Sequence, residues 1–265
     1  MEQVASGSRR ITYDARGLAE PDVEAPRTAV IEDGTASFGA TELSTRQINL
    51  ELRRLIYEEG ITDVIVRDPG AKHSIGVGIL QRCRITFEGS LGYFGVGLID
   101  GPEVHITGRV GWSVAENMMS GVVVIEKVAG SLAGAAIRGG DLVVKGNVGA
   151  RTGIDQKGGT IIVGGDAGTM TAFMMQRGRQ IICGDVGPGL GDSMYDGESY
   201  VGGTVKSLGI DCVEAEMTDA DQEMIDRKFR IHGLDTPDSF RKYVCGKVLY
   251  NYDNLEPSEK KLVIH

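Results

Sequence analysis

Asn147, Asp166 and Asp185 stand 19 residues apart, and such a regular series of oxygen-bearing side chains could bind a metal ion. Calcium takes about six to eight oxygen ligands, whereas this series supplies one side chain per 19 residues. Asn and Asp side chains also accept hydrogen bonds from nearby backbone groups in turns. The sequence therefore predicts that these residues cap their own turns and do not form a calcium site.

Histidine and cysteine lack the spacing that metal binding or nucleophilic catalysis requires. They are His73, His105, His232, His265, Cys83, Cys183, Cys212 and Cys245, and no two cysteines form a CxxC pair. There is no GxSxG motif, and residue 2 is not cysteine, so neither a nucleophile elbow nor an N-terminal nucleophile is present. The G-x-G stretches at Gly76 and Gly187 do not open a helix after a strand, as a nucleotide site requires. We predict no catalytic, cofactor-binding or metal-binding residue in this chain.

Carboxylates leave one enzymatic alternative open, a self-contained enzyme that acts on a polymer. Such enzymes need a cluster of acids in an outer groove, and the candidates are Glu88, Glu126, Asp192 and Asp196. The chain begins MEQVASGSRR with no apolar stretch behind it, which argues against a secreted polysaccharide-degrading enzyme.

Bulk composition sets limits on partners and location. The chain has 265 residues, a formal net charge of −9 and 25% charged residues, and this acidic balance argues against binding duplex nucleic acid. No apolar run is long enough to span a membrane. We expect a cytoplasmic protein with reduced cysteines. Glycine is the outlier, with 39 residues, which indicates many tight turns at fixed places.

An internal repeat of 19 residues explains the glycines. The principal series is Gly70, Gly89, Gly108, Gly146, Gly165, Gly184 and Gly203. Seven units without a gap begin at Arg84, and most have a β-branched run, a G-x-x-G turn and a closing glycine. Short strands bounded by glycine turns, one coil per repeat, predict an all-β fold: a single-stranded parallel β-helix of about seven coils, with short flanking helices.

Columns of the repeat predict which side chains face inward. The fourth position is apolar throughout, from Phe87 and Ile106 to Val201, and the second is mostly apolar. Side chains alternate across a strand, so the third position faces outward. The third position is apolar in five coils, and we predict that a partner subunit or the chain's own terminal segments cover this interface. Its members are Val124, Val143, Ile162, Ile181 and Tyr200.

The flanking segments divide the chain into four regions. Residues 1–40 are polar and are predicted to form an extended arm, and residues 41–63 a helix that caps the first coil, with a capping box from Ser44 to Gln47. Residues 64–216 form the β-helix. Residues 217–265 are a helical and extended tail, in which Thr218 caps a helix that ends near Gly233 and Pro237 is a candidate start for a second helix.

The segment from Asp68 to Glu126, which begins DPGAKHSIGVGILQ, resembles the start of the C-terminal domain of the glutamate synthase large subunit, the GXGXG domain. The preceding NLELRRLIYEEG also matches, and the resemblance runs from about residue 34 to residue 216. It implies a right-handed β-helix with a structural role, beside a class II glutaminase and a synthase barrel that carries FMN and an Fe–S cluster.

A stand-alone chain of this type is similar to the β-helix subunits of split glutamate synthase-like systems, including N-methylglutamate synthase, and the tail FRKYVCGKVLYNYDN supports that similarity. The resemblance implies two partners, a class II glutamine amidotransferase-like subunit and an FMN-binding synthase-barrel subunit, with FMN and Fe–S in the partner and no cofactor here. A more distant resemblance is to the β-helix subunit of formylmethanofuran dehydrogenase.

Overall fold

The computed structural model describes residues 24–235, residue 237 and residues 239–246. In chain order its strands are β1 (Val30–Glu32), β2 (Thr35–Gly39), β3 (Asp63–Arg67), β4 (Arg84–Glu88), β5 (Asp100–Ile106), β6 (Ser120–Ile125), β7 (Asp141–Val144), β8 (Lys157–Val163), β9 (Arg177–Ile182), β10 (Val186–Leu190), β11 (Glu198–Val201), β12 (Val205–Leu208), β13 (Cys212–Ala215) and β14 (Arg241–Cys245). The helices are α1 (Thr45–Arg53) and α2 (Asp219–His232), and a π-helical segment, Arg54–Glu58, continues α1.

Strands β2 to β9 and β11 pair in parallel, one per coil, in a β-solenoid of about eight turns. This confirms the predicted β-helix. From β4 onward, equivalent residues of the repeat are direct partners, as in the series Phe87, Ile106 and Ile125. The fourth-position column is fully buried from Phe87 to Val201, and so is the second, including its polar members Gln180 and Ser199. Each buried branched side chain contributes roughly 1.5–3 kcal/mol.

The first coil differs from the sequence prediction. Residues assigned to an extended arm instead form the β1–β2 hairpin, and β2 is already a parallel neighbour of β3. The helix therefore lies within a turn of the solenoid, between two of its strands. The predicted capping box of Ser44 and Gln47 is present. The remainder of the predicted arm, residues 1–23, lies outside the described residues.

The C-terminal end is closed by antiparallel strands, in which β14 pairs with β11 on one side and with β13 on the other. Helix α2 has the predicted N-cap, Thr218, and ends at Gly233 in the left-handed conformation. The candidate helix after Pro237 is wrong for residues 241–245, which form β14. The tail beyond residue 246 lies outside the described residues.

One corner of the coils is built from small residues in the left-handed conformation. Its members have φ values of 54–66° and are Ala115, Gly134, Gly153, Ala172 and Gly191. At Gly153 a Cβ would lie 2.1 Å from Nε2 of Gln180. That amide is buried and donates to Oε1 of Gln156 at 3.1 Å. The predicted crowding at this corner thus has a specific cause at Gly153, where the glycine leaves room for a buried polar pair.

Candidate partner-docking face

The third-position column is in register from β3 to β11, and two halves of it differ in burial. Its members are Ile65, Thr86, His105, Val124, Val143, Ile162, Ile181 and Tyr200. The last four are fully buried and the first four are half-buried. The sequence left two coverings open for this apolar face, and over the last four coils the covering is the chain's own helix α2.

Helix α2 contributes an apolar stripe that rests on these four residues. Ile225 and Phe229 are one helical turn apart and are buried in the same cluster as Val143 and Ile162. Phe240, which precedes β14, joins the cluster, and its ring meets that of Phe229 edge-on at 6.1 Å. The tail therefore forms a second small core on the outside of the solenoid.

Polar contacts fix the C-terminal end of α2 over β7. Nζ of Lys228 donates to Oδ1 of Asp141 at 2.5 Å, and Nε2 of His232 donates to Oδ2 at 2.9 Å. Burial by itself would raise the pKa of Asp141, but these two hydrogen bonds together outweigh it and hold the pKa below its ordinary value of 3.8. The ionised carboxylate of Asp141 thus holds the C-terminal end of α2 on the β-solenoid.

A second polar group fixes the N-terminal end of α2 over the last coil. The hydroxyl of Tyr200 donates to Oδ1 of Asp221 at 2.7 Å, and Nζ of Lys242 reaches Asp221 at 2.9 Å and Glu198 at 2.8 Å. Burial opposes ionisation of Asp221, yet the hydrogen bonds from Tyr200, Lys242 and Thr218 place its pKa far below the usual range. Burial, reinforced by the bond to Asp221, raises the pKa of Tyr200. Helix α2 therefore spans the face from β11 to β7.

The face continues beyond the end of α2, where a groove of about 430 Å³ begins. Its apolar lining includes Val122, Val124 and Ile231, and Ile231 in the last turn of α2 is 64% exposed. His105 and His232 also line it. Val124 is thus the one predicted interface residue that α2 leaves half-buried. The groove continues the surface on which α2 already lies.

Ion pairs border this uncovered half of the face. Arg84 lies 3.1 Å from Asp63 and 3.9 Å from Glu103, and the side chain of Glu103 is 67% exposed. On the other border His105 contacts Glu126 at 2.7 Å. Glu103 occupies the same first position of the repeat as Asp141, which α2 uses for its basic residues. A basic helix on the uncovered half would find an acid at the corresponding place.

A second exposed feature, not predicted from the sequence, is a stack of aromatic rings on another corner. The rings of His73 and Tyr93 are 4.6 Å apart, and those of Tyr93 and Trp112 are 5.3 Å apart. Tyr93 and Trp112 are 50% and 53% exposed. They are 19 residues apart, so the period that located the core columns was a signal that could have found this stack.

The Asx column has a different role from the one predicted. Oδ1 of Asn147 accepts from the backbone N–H of Asp166 at 2.9 Å, and Oδ1 of Asp166 accepts from Asp185 at 2.8 Å. Asp185 accepts likewise from Thr204. Each side chain therefore caps the next coil, and not its own turn. Within the described ranges, no group of three His, Cys, Asp or Glu residues is placed to hold a metal ion.

Three of the four acids considered for polymer cleavage, Glu88, Glu126 and Asp192, are engaged in local contacts. Glu88 lies 3.5 Å from Arg67, and Glu126 contacts both His105 and Lys145. Asp192 accepts from the hydroxyl of Ser193 at 2.7 Å. Among the described residues these contacts are stabilising interactions between or within coils, and they do not support the polymer-cleaving alternative.

Comparisons with known proteins place the chain in a family. No established family model matches the sequence. No helix in the described part of the chain has the length and apolar character to cross a membrane. The chain is 47% identical to Protein GlxC of Rhizobium meliloti (strain 1021) over 212 residues, which cover 78% of this chain and 92% of GlxC. This extent of identity shows that the chain belongs to the GlxC family.

Proposed function

We propose that this chain is a non-catalytic structural subunit of a glutamate synthase-type complex. In this proposal it holds a class II glutaminase-like subunit and an FMN-binding synthase-barrel subunit together, so that ammonia passes between them. FMN and the Fe–S cluster belong to the barrel subunit. Support comes from membership of the GlxC family and from the resemblance of residues 34–216 to the GXGXG domain. The complex makes glutamate or N-methylglutamate, and the partner chains determine which.

The observation that carries an assembly role is the half-covered sheet face. One half is sealed by α2, whereas the other ends in an apolar groove with Val122 and Val124 in its wall. Soluble proteins seldom leave a contiguous apolar surface without a partner. We propose that a helix of a partner subunit lies on the uncovered half, end to end with α2.

Charge reversal at Glu103 tests this docking. A partner helix that places a basic residue there, as Lys228 is placed at Asp141, would meet a like charge in Glu103→Lys. Like-charge contacts in an interface cost several kcal/mol, so we expect affinity for the partner subunits to fall at least tenfold, or about 1.4 kcal/mol. Titration of purified partner subunits, followed by calorimetry, measures the change.

Glu223→Lys is the matched control. It reverses the same charge at an exposed position of α2, away from the uncovered half of the face. It should bind as the unaltered chain does. If both variants bind the partner subunits with the same affinity as the unaltered chain, the uncovered half of the face is not the docking site. Failure of the unaltered chain to bind either partner would contradict the assembly function itself.

A further inference from the structure

Two cysteines face each other across the strands that close the C-terminal end of the rod. In the antiparallel pair of β13 and β14, Cys212 lies directly opposite Cys245. The backbone N–H of Gly246 donates to the carbonyl of Asp211 at 2.8 Å, which makes the adjacent pair the hydrogen-bonded one. Hydrogen-bonded and non-hydrogen-bonded pairs alternate in an antiparallel ladder. Cys212 and Cys245 are therefore a non-hydrogen-bonded pair.

That position suits a disulfide. In non-hydrogen-bonded pairs the two Cα atoms are about 4.5 Å apart and the side chains share one face. Disulfides occur at Cα separations of about 4.4–6.8 Å. A cross-strand bridge here needs rotation of the side chains and little movement of the backbone.

Contacts of the two sulfur atoms place both thiols at the same end of the solenoid interior. Cys212 is buried, and its Sγ would lie 2.7 Å from a Cβ at Gly191. Sγ of Cys245 donates to the carbonyl of Met194, three residues further along that coil, at 3.2 Å. Burial raises the pKa of Cys212 to about 11, and the neighbouring Cys245 adds to the shift. This effect of Cys245 on the ionisation of Cys212 agrees with their direct cross-strand pairing.

We propose that Cys212 and Cys245 form an oxidisable dithiol site, which a small-molecule disulfide such as glutathione disulfide converts to a cross-strand bond. The half-buried Cys245 attacks first as its thiolate, which forms a mixed disulfide and releases one glutathione thiol. The thiolate of Cys212 then attacks the sulfur of Cys245 and releases the second. Two protein thiols are oxidised, one glutathione disulfide is reduced to two thiols, and no further oxidant is consumed.

The disulfide would hold α2 on the face of the sheet that it covers. It closes the chain between β13 and β14 into a loop that contains all of α2. Such a crosslink reduces the conformational freedom of the chain when this region unfolds. Helix α2 could therefore no longer separate from the solenoid together with β14. Oxidation would thereby stabilise the α2-covered state of Val143, Ile162, Ile181 and Tyr200.

Equilibration of the full-length protein in glutathione buffers of graded redox ratio tests the site. After trapping under native conditions and digestion, mass spectrometry should find a linked peptide that joins Cys212 to Cys245. The other two cysteines, Cys83 and Cys183, should remain thiols, since each is held in a different coil. Proteolysis within α2, at Arg227 and Arg230, should slow at least tenfold in the oxidised form.

Variants make the result decisive. The Cys83→Ser, Cys183→Ser double variant should form the same link at the same redox ratio, whereas Cys245→Ser should lose both the link and the protection of α2. Gel filtration of each oxidised sample shows that it remains folded. Cys212 and Cys245 remaining thiols in the most oxidising buffer would overturn the proposal, as would glutathione adducts on both or links to Cys83 or Cys183.

Discussion

Strand alternation determines the inside and outside of the solenoid residue by residue. Val163 at the fourth position and Ile162 at the third are neighbours, and the sequence placed one in the core and the other outside it. Both are fully buried, Val163 inside the rod and Ile162 beneath α2. The apolar third column indicated that something covers it, but a strand pattern carries no information about which segment does so.

Two aspartate substitutions separate these locations. Val163→Asp should unfold the rod, because an unpaired carboxylate in its core costs several kcal/mol. Ile162→Asp should release α2 and leave the β-solenoid folded, since its carboxylate reaches water once the helix departs. Circular dichroism should show loss of the sheet signal only in Val163→Asp, and proteolysis should cut α2 rapidly in Ile162→Asp. Equal loss of the sheet signal in both would contradict the assignment of the two faces.

The clamp at Asp141 gives the attachment of α2 a dependence on pH. The pKa of Asp141 is lowered in the folded protein, so its stabilising effect is complete above the ordinary value of 3.8 and is lost as pH falls through the lower folded pKa. The protection of α2 amides from hydrogen exchange, relative to the intrinsic rate at each pH, should therefore fall below about pH 4. In Asp141→Asn we expect exchange to be faster already at pH 6, with a loss of about 1–3 kcal/mol. If exchange is as slow in the variant as in the unaltered chain, Asp141 does not hold α2 on the solenoid.

At the scale of elements, a fixed period could be read from sequence and its exceptions could not. The coils from Arg84 onward, and the helix from Thr218 to Gly233, follow local rules of turn spacing and capping, and both predictions are confirmed. The first coil was missed because α1 is inserted between β2 and β3, which removes the 19-residue spacing there. The Asx side chains cap a neighbouring coil because stacked turns bring the next backbone N–H within reach, a contact between coils that local turn chemistry does not predict.

The small-residue corner supplies a test at this scale. Gly153→Ala adds a Cβ where φ is 64° and Nε2 of Gln180 would be 2.1 Å away. The left-handed conformation alone costs roughly 1–2 kcal/mol, and the displaced amide loses a buried hydrogen bond worth about 1 kcal/mol. Urea denaturation should therefore show a loss of about 2–3 kcal/mol from these two effects. Gly39→Ala, with no atom within 4 Å of the added Cβ, should change stability by much less, and equal losses would contradict this explanation.

At the scale of the whole molecule, the sequence resemblance and the solenoid agree on a rod, and sequence identity places the chain in the GlxC family. The candidate site was predictable in part: the sequence identified the apolar column, and Val124 is its member beside the open groove. The groove itself depends on where α2 ends. The coil over which that end lies is fixed by the Asp141 clamp, whose partners Lys228 and His232 are 87 and 91 positions away in the chain, and no local pattern encodes these contacts.

Co-expression of this chain with a class II glutaminase-like subunit and an FMN-binding barrel subunit tests the central claim most directly. Gel filtration at micromolar concentration, with absorbance recorded at protein and flavin wavelengths, follows all three chains. The proposed function predicts one stable particle that contains the three subunits and carries flavin, whereas this chain alone elutes without flavin or iron. Independent elution of the three subunits, or stoichiometric flavin or iron on the isolated chain, would contradict an assembly role.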